Sequence, residues 1–417
     1  MKTNKILIWH IALLCIFTLV ISRIDEFAES LMLFYLFAKL SFADVKFFVN
    51  NLSIEFIDQF VSITIIMVGI ILVILKKSKW KVLNKKAGIS LSLMTVLVLI
   101  SICGPIAAPF NPNLQFNLSI AKNLPPASVK TLATNSEGDN KPSNSLSEFA
   151  KLKKSILREV VGDDYFLVDK IGEHNTINQQ LVNGKQKFTY SKICFLLGTD
   201  EYGRDVFSRL IYATRLSVLI GIGAVIVTLF FGVLLGFLAG FYSRSAGKIL
   251  NSLADMFLAF PAIFLVILFL SLYGNSLFNV IFVIGFASWM SLFKIVRGEV
   301  ISIKSKNFII TSQHLGMSKW AILRKEIIPF MMPSITVNVI FQFANIIIAE
   351  SSLSFLGLTG NHIYPTLGLM VQEGQSYIKQ AWWILFFPSA TIVFILFLAN
   401  KVARKLQLKY SGYNIFN

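Results

Sequence analysis

Several long apolar runs without a charged residue constrain the fold of this chain more than any other feature. One of them, residues 217–241, contains no Asp, Glu, Lys or Arg. A run of about 18 or more apolar residues is typical of a helix that crosses the bilayer. Hydrophobic residues make up 55% of the chain and charged residues 15%, against about 25% charged residues in a typical soluble domain. The sequence therefore predicts an integral membrane protein.

Hydropathy predicts an all-α polytopic membrane protein with eight spans. A short run, residues 6–21, follows Lys2 and Lys5 and could be a signal peptide, but no small-residue cleavage site follows it. We therefore expect an uncleaved span there. The eight predicted spans are residues 6–21, 60–75, 89–106, 217–241, 250–273, 277–293, 334–355 and 382–399.

The formal charge of +17 is concentrated in short segments between these spans. Lysines cluster without any acid in residues 76–86, and basic residues predominate in 242–248, in 294–329 and from residue 401. Cytoplasmic loops carry an excess of Lys and Arg, and counting the spans places all four segments on one side. The sequence thus predicts that both termini are cytoplasmic and that the basic charge does not reflect binding of nucleic acid.

One long polar segment, residues 113–197, interrupts the apolar pattern and is called the insertion below. Between residues 113 and 205 there are 12 basic and 11 acidic residues, so this part of the chain is nearly neutral. Its Pro-, Ser- and Asn-rich stretch at 124–147 is typical of a flexible connection. We expect an external loop or a small external domain.

Two further segments carry information beyond hydropathy. In GTDEYGRDVFSRLIYATRLSV, residues 198–218, Thr199 or Asp200 is expected to cap an amphipathic helix at the membrane surface. In residues 307–335, short helical stretches flank Gly316, and Pro329 and Pro333 precede the next span. Such a segment is too long for a tight connection and suggests a docking element for a soluble partner. An interfacial amphipathic helix is the alternative.

These motifs resemble those of a known family. The string at 198–217, RGEV at 297–300 and ESSLSFLGL at 350–358 are similar to the C-type permease subunit of dipeptide, oligopeptide and nickel ABC importers. The resemblance covers residues 89 to about 405. It implies a type I permease bundle in the bacterial cytoplasmic membrane, with two additional N-terminal spans and the insertion as departures.

The resemblance assigns residues 307–329 to the cytoplasmic loop that docks into the ATPase subunit. Gly316 and Pro329 have the spacing of that loop, but Ile310 stands where the family has the Glu of its Glu-Ala-Ala sequence. The acidic contact to the ATPase is therefore expected to be missing. The candidate coupling residues are Thr311, Ser312, Leu315, Gly316 and Lys319.

Other residues are candidates because of where they lie in the spans. Asp255 and Glu350 are carboxylates in or near apolar runs, where charged groups usually face a cavity or a partner. Asp255 could also be interfacial, and Glu350, next to Ser351, could form a structural hydrogen bond or line the translocation path. Small residues at every fourth position allow two helices to approach closely. A helix-packing face is therefore predicted at Gly232, Gly236 and Gly240.

Several chemistries have little support in the sequence. Gly247-Lys248 is followed by Ile249 rather than Ser or Thr, so it does not form a phosphate loop. No metal site or catalytic arrangement is expected from the four histidines and the three scattered cysteines, and no cofactor is predicted. The histidines are His10, His174, His314 and His362, and the cysteines are Cys15, Cys103 and Cys194.

The resemblance implies that ATP is bound and hydrolysed by other subunits. The expected partners are a homologous second permease, two ATPase subunits, an external solute-binding protein and membrane lipid. A self-sufficient secondary transporter would need a complete path, usually with inverted repeats, and a membrane enzyme would need clustered catalytic residues. The expected regions are an N-terminal extension (1–88), a first core span (89–112), the insertion (113–197), the permease core (198–405) and a cytoplasmic tail (406–417).

The predicted topology can be tested by cysteine labelling. In a chain whose native cysteines are replaced by serine, we expect an impermeant thiol reagent on intact cells to label Asn140→Cys but not Trp80→Cys. The lysine-rich loop around residue 80 should be cytoplasmic because of its charge. The reverse labelling pattern would overturn the predicted orientation.

Overall fold

The computed structural model describes most of the chain from residue 187 onward and parts of the preceding region. The described residues are 18, 21, 23–43, 56, 58–64, 66, 99, 104–136, 148–150, 152–153, 165–168, 187–241, 244–360 and 364–414. The predicted spans at 6–21, 60–75 and 89–106 and the lysine-rich loop lie largely outside them. Two compact units are formed, one from residues 1–216, 364–366 and 370–389 and the other from 217–363, 367–369 and 390–417.

Helices dominate the described residues, and three strands occur in the insertion. The helices are α1 (Ile24–Ala43), α2 (Gly104–Ala107), α3 (Leu118–Ala121), α4 (Val206–Phe241), α5 (Arg244–Leu258), α6 (Ala262–Tyr273), α7 (Leu277–Lys304), α8 (Asn307–His314), α9 (Lys319–Ile322), α10 (Ile328–Phe355), α11 (Leu367–Gln375) and α12 (Trp382–Asn414). A π-helical turn, Leu323–Ile327, joins α9 to α10. The strands are β1 (Ser128–Ser136), β2 (Tyr165–Val168) and β3 (Lys187–Phe195).

The insertion contains an antiparallel sheet that hydropathy does not predict. Its strand order is β2-β1-β3, with Ser128 opposite Phe195 and Thr131 opposite Val168. Phe195, the last residue of β3, and Phe116 are both buried, with ring centroids 5.4 Å apart. The insertion therefore includes a small domain with its own apolar core.

Four helices among the described residues are long and apolar enough to cross a membrane. They are Val206–Phe241, Leu277–Lys304, Trp320–Phe355 and Trp382–Leu408. Each includes one of the spans predicted at 217–241, 277–293, 334–355 and 382–399, and each is longer than that prediction. Polar helix ends account for the difference, because hydropathy detects only the apolar part of a helix.

The span predicted at residues 250–273 is not one straight helix. Helical residues Gly247–Leu258 and Ala262–Tyr273 are bent by 86° with respect to each other. Pro261 is the N-cap of α6, with φ −59° and ψ 125°. Because proline has no N–H and disfavours helical conformation in the residue before it, the helix ends here and restarts in a new direction.

Pro329 and Pro333, which the sequence places before the next span, both lie within α10, and α10 follows directly on the π-helical turn. Pro329 is near the N-terminus of α10, and Pro333 lies inside the helix. Each proline removes one N–H donor from the helical hydrogen bonds. The wider turn at Leu323–Ile327 is a local change of hydrogen-bond register immediately before these prolines.

The glycine face of α4 lies against α7. A Cβ on Gly236 would be 2.8 Å from the carbonyl oxygen of Phe293, and a Cβ on Gly240 would be 2.8 Å from the Cβ of Val300. A Cβ on Gly232 would likewise meet a side chain of α7 at 2.9 Å. The two backbones approach so closely that no side chain fits between them, which is how small residues at every fourth position are used in membrane helices.

We predict that Gly236→Leu destabilises the chain by about 1–3 kcal/mol, the usual cost of overpacking, and lowers the yield of folded protein. Gly298→Leu is the matched control, because Gly298 lies on α7 and a Cβ there meets nothing within 4 Å. The measurement is thermal unfolding of both variants in detergent. Equal midpoints for the two variants would show that the α4–α7 contact does not limit stability.

Candidate functional site

The segment from α8 to the π-helical turn forms two short helices around a tight turn, as the sequence predicts. Gly316 has φ +79°, the left-handed conformation that favours glycine. The N–H of Gly316 bonds to the carbonyl of Gln313 at 3.1 Å, and the N–H of Met317 bonds to that of Ser312 at 3.1 Å. This pair of bonds is a Schellman motif, which ends α8 at its glycine and reverses the chain.

One face of this segment is fixed to α7. Ile309, Ile322 and Ile327 are buried in one apolar cluster with Val300 and Ile303 of α7. Ser312 is also buried, and its hydroxyl donates to the carboxylate of Glu326 at 2.5 Å. The segment is thus held by apolar contacts and by a link between its two limbs.

The opposite face of the segment is exposed and carries large apolar side chains among polar ones. Leu315 is 77% exposed at the tip, and Trp320 is 66% exposed on the second short helix. A Cβ on Gly316 would meet nothing within 4 Å. Ile310, which stands at the position of the family's acid, is also exposed. A bare glycine and large apolar side chains together form a surface suited to docking.

The predicted coupling residues differ in their surroundings. Leu315 and Gly316 form the tip, while Ser312 faces the inside of the segment. The hydroxyl of Thr311 donates to the carbonyl of Asn307 within α8 at 3.0 Å, and Lys319 is the first residue of α9. Sequence reasoning missed Trp320 and Glu326, although a tryptophan four residues beyond Gly316 could have been noticed.

Glu350, a candidate path residue, is fully buried in α10. Its carboxylate accepts a hydrogen bond from Ser354 at 2.7 Å, and the Ser354 hydroxyl is 2.9 Å from that of Thr359. Ser351 is buried beside it. A Cβ on Gly368 of α11 would be 2.3 Å from the carbonyl oxygen of Ser351. Structural hydrogen bonding, one of the two readings left open by the sequence, is therefore observed for Glu350.

Asp255 has a different environment. It forms an ion pair with Lys294 of α7 and accepts a hydrogen bond from Asn251 at 2.7 Å, and its side chain is half exposed. It lies in α5, before the break at Pro261, and not inside an uninterrupted span. The structure therefore gives Asp255 and Glu350 separate partners.

The motif at 198–218 begins as a turn and not as a helix. Asp205, and neither Thr199 nor Asp200, caps α4, with its carboxylate accepting from the N–H and the hydroxyl of Ser208 at 2.8 and 2.6 Å. Burial raises the pKa of Asp205, and the bonds from Ser208 oppose this shift. Asp200 instead closes the preceding turn through the N–H groups of Tyr202 and Arg204.

This turn and α11 are joined by a buried ionic cluster. Arg209 is 2% exposed and lies 2.5 Å from Glu373 of α11 and 3.5 Å from Asp200. Arg204 bonds to Asp200 at 2.6 Å, and its Nη2 lies 3.3 Å from Glu373 without forming a hydrogen bond. Burial raises the pKa of the neighbouring Glu201, and the charges of Asp200 and Glu373 add to this effect. Glu373 is distant in sequence, so no local pattern could have identified it.

Several long apolar helices, with a short, exposed helix-turn-helix between two of them, define a polytopic membrane protein. The family model described as "binding-protein-dependent transport system inner membrane component" matches residues 232–408. The chain is 34% identical over 213 residues to the di/tripeptide transport system permease protein DppC of Pseudomonas aeruginosa, covering 51% of this chain and 70% of that protein. The chain therefore belongs to this family of inner membrane permease components.

Two further permease proteins and one solved structure are also similar to parts of this chain. The oligopeptide transport system permease protein OppC of Bacillus subtilis is 33% identical over 210 residues, covering 50% of this chain and 69% of that protein. The glutathione transport system permease protein GsiD of Pectobacterium atrosepticum is 36% identical over 196 residues, covering 47% of this chain and 65% of that protein. A chain of the MetNI methionine ABC transporter, in inward-facing conformation, matches with a TM-score of 0.39 and 16% identity, covering 48% of this chain and 97% of that chain.

Proposed function

We propose that this chain is one transmembrane subunit of an ATP-driven importer in the bacterial cytoplasmic membrane and that it imports di- or oligopeptides. The three relatives described above are named for di/tripeptide, oligopeptide and glutathione transport. All of these solutes are short peptides or contain peptide bonds, which supports a peptide substrate. Import of nickel or of another small solute is the alternative that the sequence left open.

The observation that carries this proposal is the shape of residues 307–327. An apolar inner face fixes the segment to α7, while Leu315, Gly316 and Trp320 face outward. A rigid attachment with an exposed tip can transmit a push from a docked partner to the helix that carries it. We propose that the partner is an ATPase subunit, which binds and hydrolyses the ATP.

The complete importer would contain further chains. A homologous second permease would form the other half of the path, with two ATPase subunits on the cytoplasmic side and a solute-binding protein outside. In this arrangement both termini and residues 307–327 are cytoplasmic, and the insertion is external. The basic segments at 76–86, 294–329 and after 401 support this orientation.

Substitution of Gly316 tests the proposed docking. Asn tolerates positive φ better than other side chains, so Gly316→Asn adds volume at the tip with little backbone strain. We expect it to weaken retention of the ATPase subunits about 10-fold or more, which corresponds to about 1.4 kcal/mol, and to abolish uptake in reconstituted vesicles. Gly316→Val should have the same effect with additional strain. Ile310→Glu should be far milder, because Ile310 is exposed on α8 and does not form the tip.

Gly298→Asn is the control for the added side chain. Gly298 lies on α7, outside the segment, and a Cβ there meets nothing within 4 Å. We expect normal ATPase retention and uptake for this variant. If Gly316→Asn behaves like Gly298→Asn in both assays, residues 307–327 do not dock the ATPase.

A further inference from the structure

The N-terminal extension and the insertion share one buried aromatic cluster. Leu33 and Phe37 of α1 pack with Phe56, which lies later in the extension, and with Phe149 of the insertion. The ring centroids of Phe37 and Phe149 are 6.1 Å apart, and those of Phe37 and Phe56 are 4.5 Å apart. Phe149 is 3% exposed. Two segments that exceed the family's common pattern therefore form one packed element.

A buried polar contact adds a specific link inside this element. The amide of Gln59 donates to the hydroxyl of Ser30 on α1 at 3.1 Å, and both side chains are buried. A buried hydrogen bond fixes the register of two packed helices, because sliding either helix would leave a polar group without a partner. We call α1, residues 56–66 and residues 148–153 the accessory element.

One ion pair connects the accessory element to α4. Asp58 lies 2.7 Å from Nη2 of Arg215, with side-chain exposures of 24% for Asp58 and 11% for Arg215. Nη1 of Arg215 is buried and has no hydrogen-bond partner among the described residues. Removing Asp58 would leave a largely buried guanidinium without its counter-charge, which is costly in and near a membrane.

Arg215 belongs to the string of residues 198–217 that carries the resemblance, whereas Asp58 belongs to the extension. An additional segment thus supplies the counter-ion for an arginine of the permease core. We propose that the accessory element positions the first turns of α4 through the Asp58–Arg215 ion pair and that import depends on this link. The dependence of import on this ion pair rests on the proposed function.

The first test does not require transport. Unfolding midpoints of the purified full-length chain are measured in detergent for Asp58→Asn, Arg215→Gln and the double variant. We expect Asp58→Asn to lower the midpoint by several degrees and the double variant to be less destabilised than the sum of the single effects. Strictly additive effects would show that the two residues do not interact, whether or not the chain is an importer.

The second test measures import by the reconstituted complex, per folded complex. We expect Asp58→Asn to lower the maximal uptake rate about 5-fold or more without changing the concentration of binding protein that gives half-maximal uptake. Asp58→Glu, which keeps the carboxylate, should restore most of the rate. Asp25→Asn is the matched control, because Asp25 is an exposed acid on α1 outside the buried cluster.

The outcomes distinguish the two proposals. No uptake by the unsubstituted complex would contradict the proposed function and leave the unfolding cycle as the test of the ion pair. Normal uptake for Asp58→Asn, equal to that of Asp25→Asn, would overturn the positioning role. Equal loss for Asp58→Asn and Asp58→Glu would also overturn it, because the carboxylate would then not be the group that matters.

Discussion

The close contact between α4 and α7 is the interaction on which the rest of the helical core depends. Lipid tails are as apolar as leucine, so apolar burial alone does not hold membrane helices together. Close packing and hydrogen bonds must do so, and α4 supplies both through its glycine face and through Thr228, whose hydroxyl donates to the carbonyl of Gly285 at 2.9 Å. A Cβ on Gly285 would be 2.5 Å from the carbonyl of Ala224, so the close approach extends along both helices.

This contact leads directly to residues 307–327, which we call the proposed coupling segment. Gly240 lies against Val300, and Val300 belongs to the same buried cluster as Ile309 and Ile327. Lys304 at the end of α7 donates to the carbonyl of Phe241 at the end of α4, 2.8 Å away. A force on the exposed tip would therefore reach two long helices through packed side chains, without a flexible connection. The buried arginines are also held by specific contacts, because Arg209 and Arg215 each have a carboxylate partner.

Much of this core follows from local sequence features. Apolar runs predicted the four long helices. Gly316 between two short amphipathic stretches predicted the turn with positive φ. The break at Pro261 was missed because hydropathy does not depend on the direction of a helix. The residues of α6 are as apolar as expected for the span predicted at 250–273.

Long-range pairings could not be predicted from one sequence. Glu373 and Arg209, like Asp58 and Arg215, are separated by more than 150 positions, and nothing local marks one as the partner of the other. The strands of the insertion were missed because each is short and lies in a segment that is polar as a whole. Helix capping by Asp205 was missed for a simpler reason, because three candidate caps stand within seven residues and only the backbone shows which one precedes the first helical turn.

Photo-crosslinking from the tip of the proposed coupling segment tests the central claim most directly. With a benzophenone side chain in place of Leu315, which is 77% exposed, the assembled complex should crosslink to an ATPase subunit on illumination. The same substitution at Leu272, 68% exposed on α6, should give no such product. Crosslinks to the ATPase from position 272 and none from position 315 would contradict the assignment of residues 307–327 as the coupling segment.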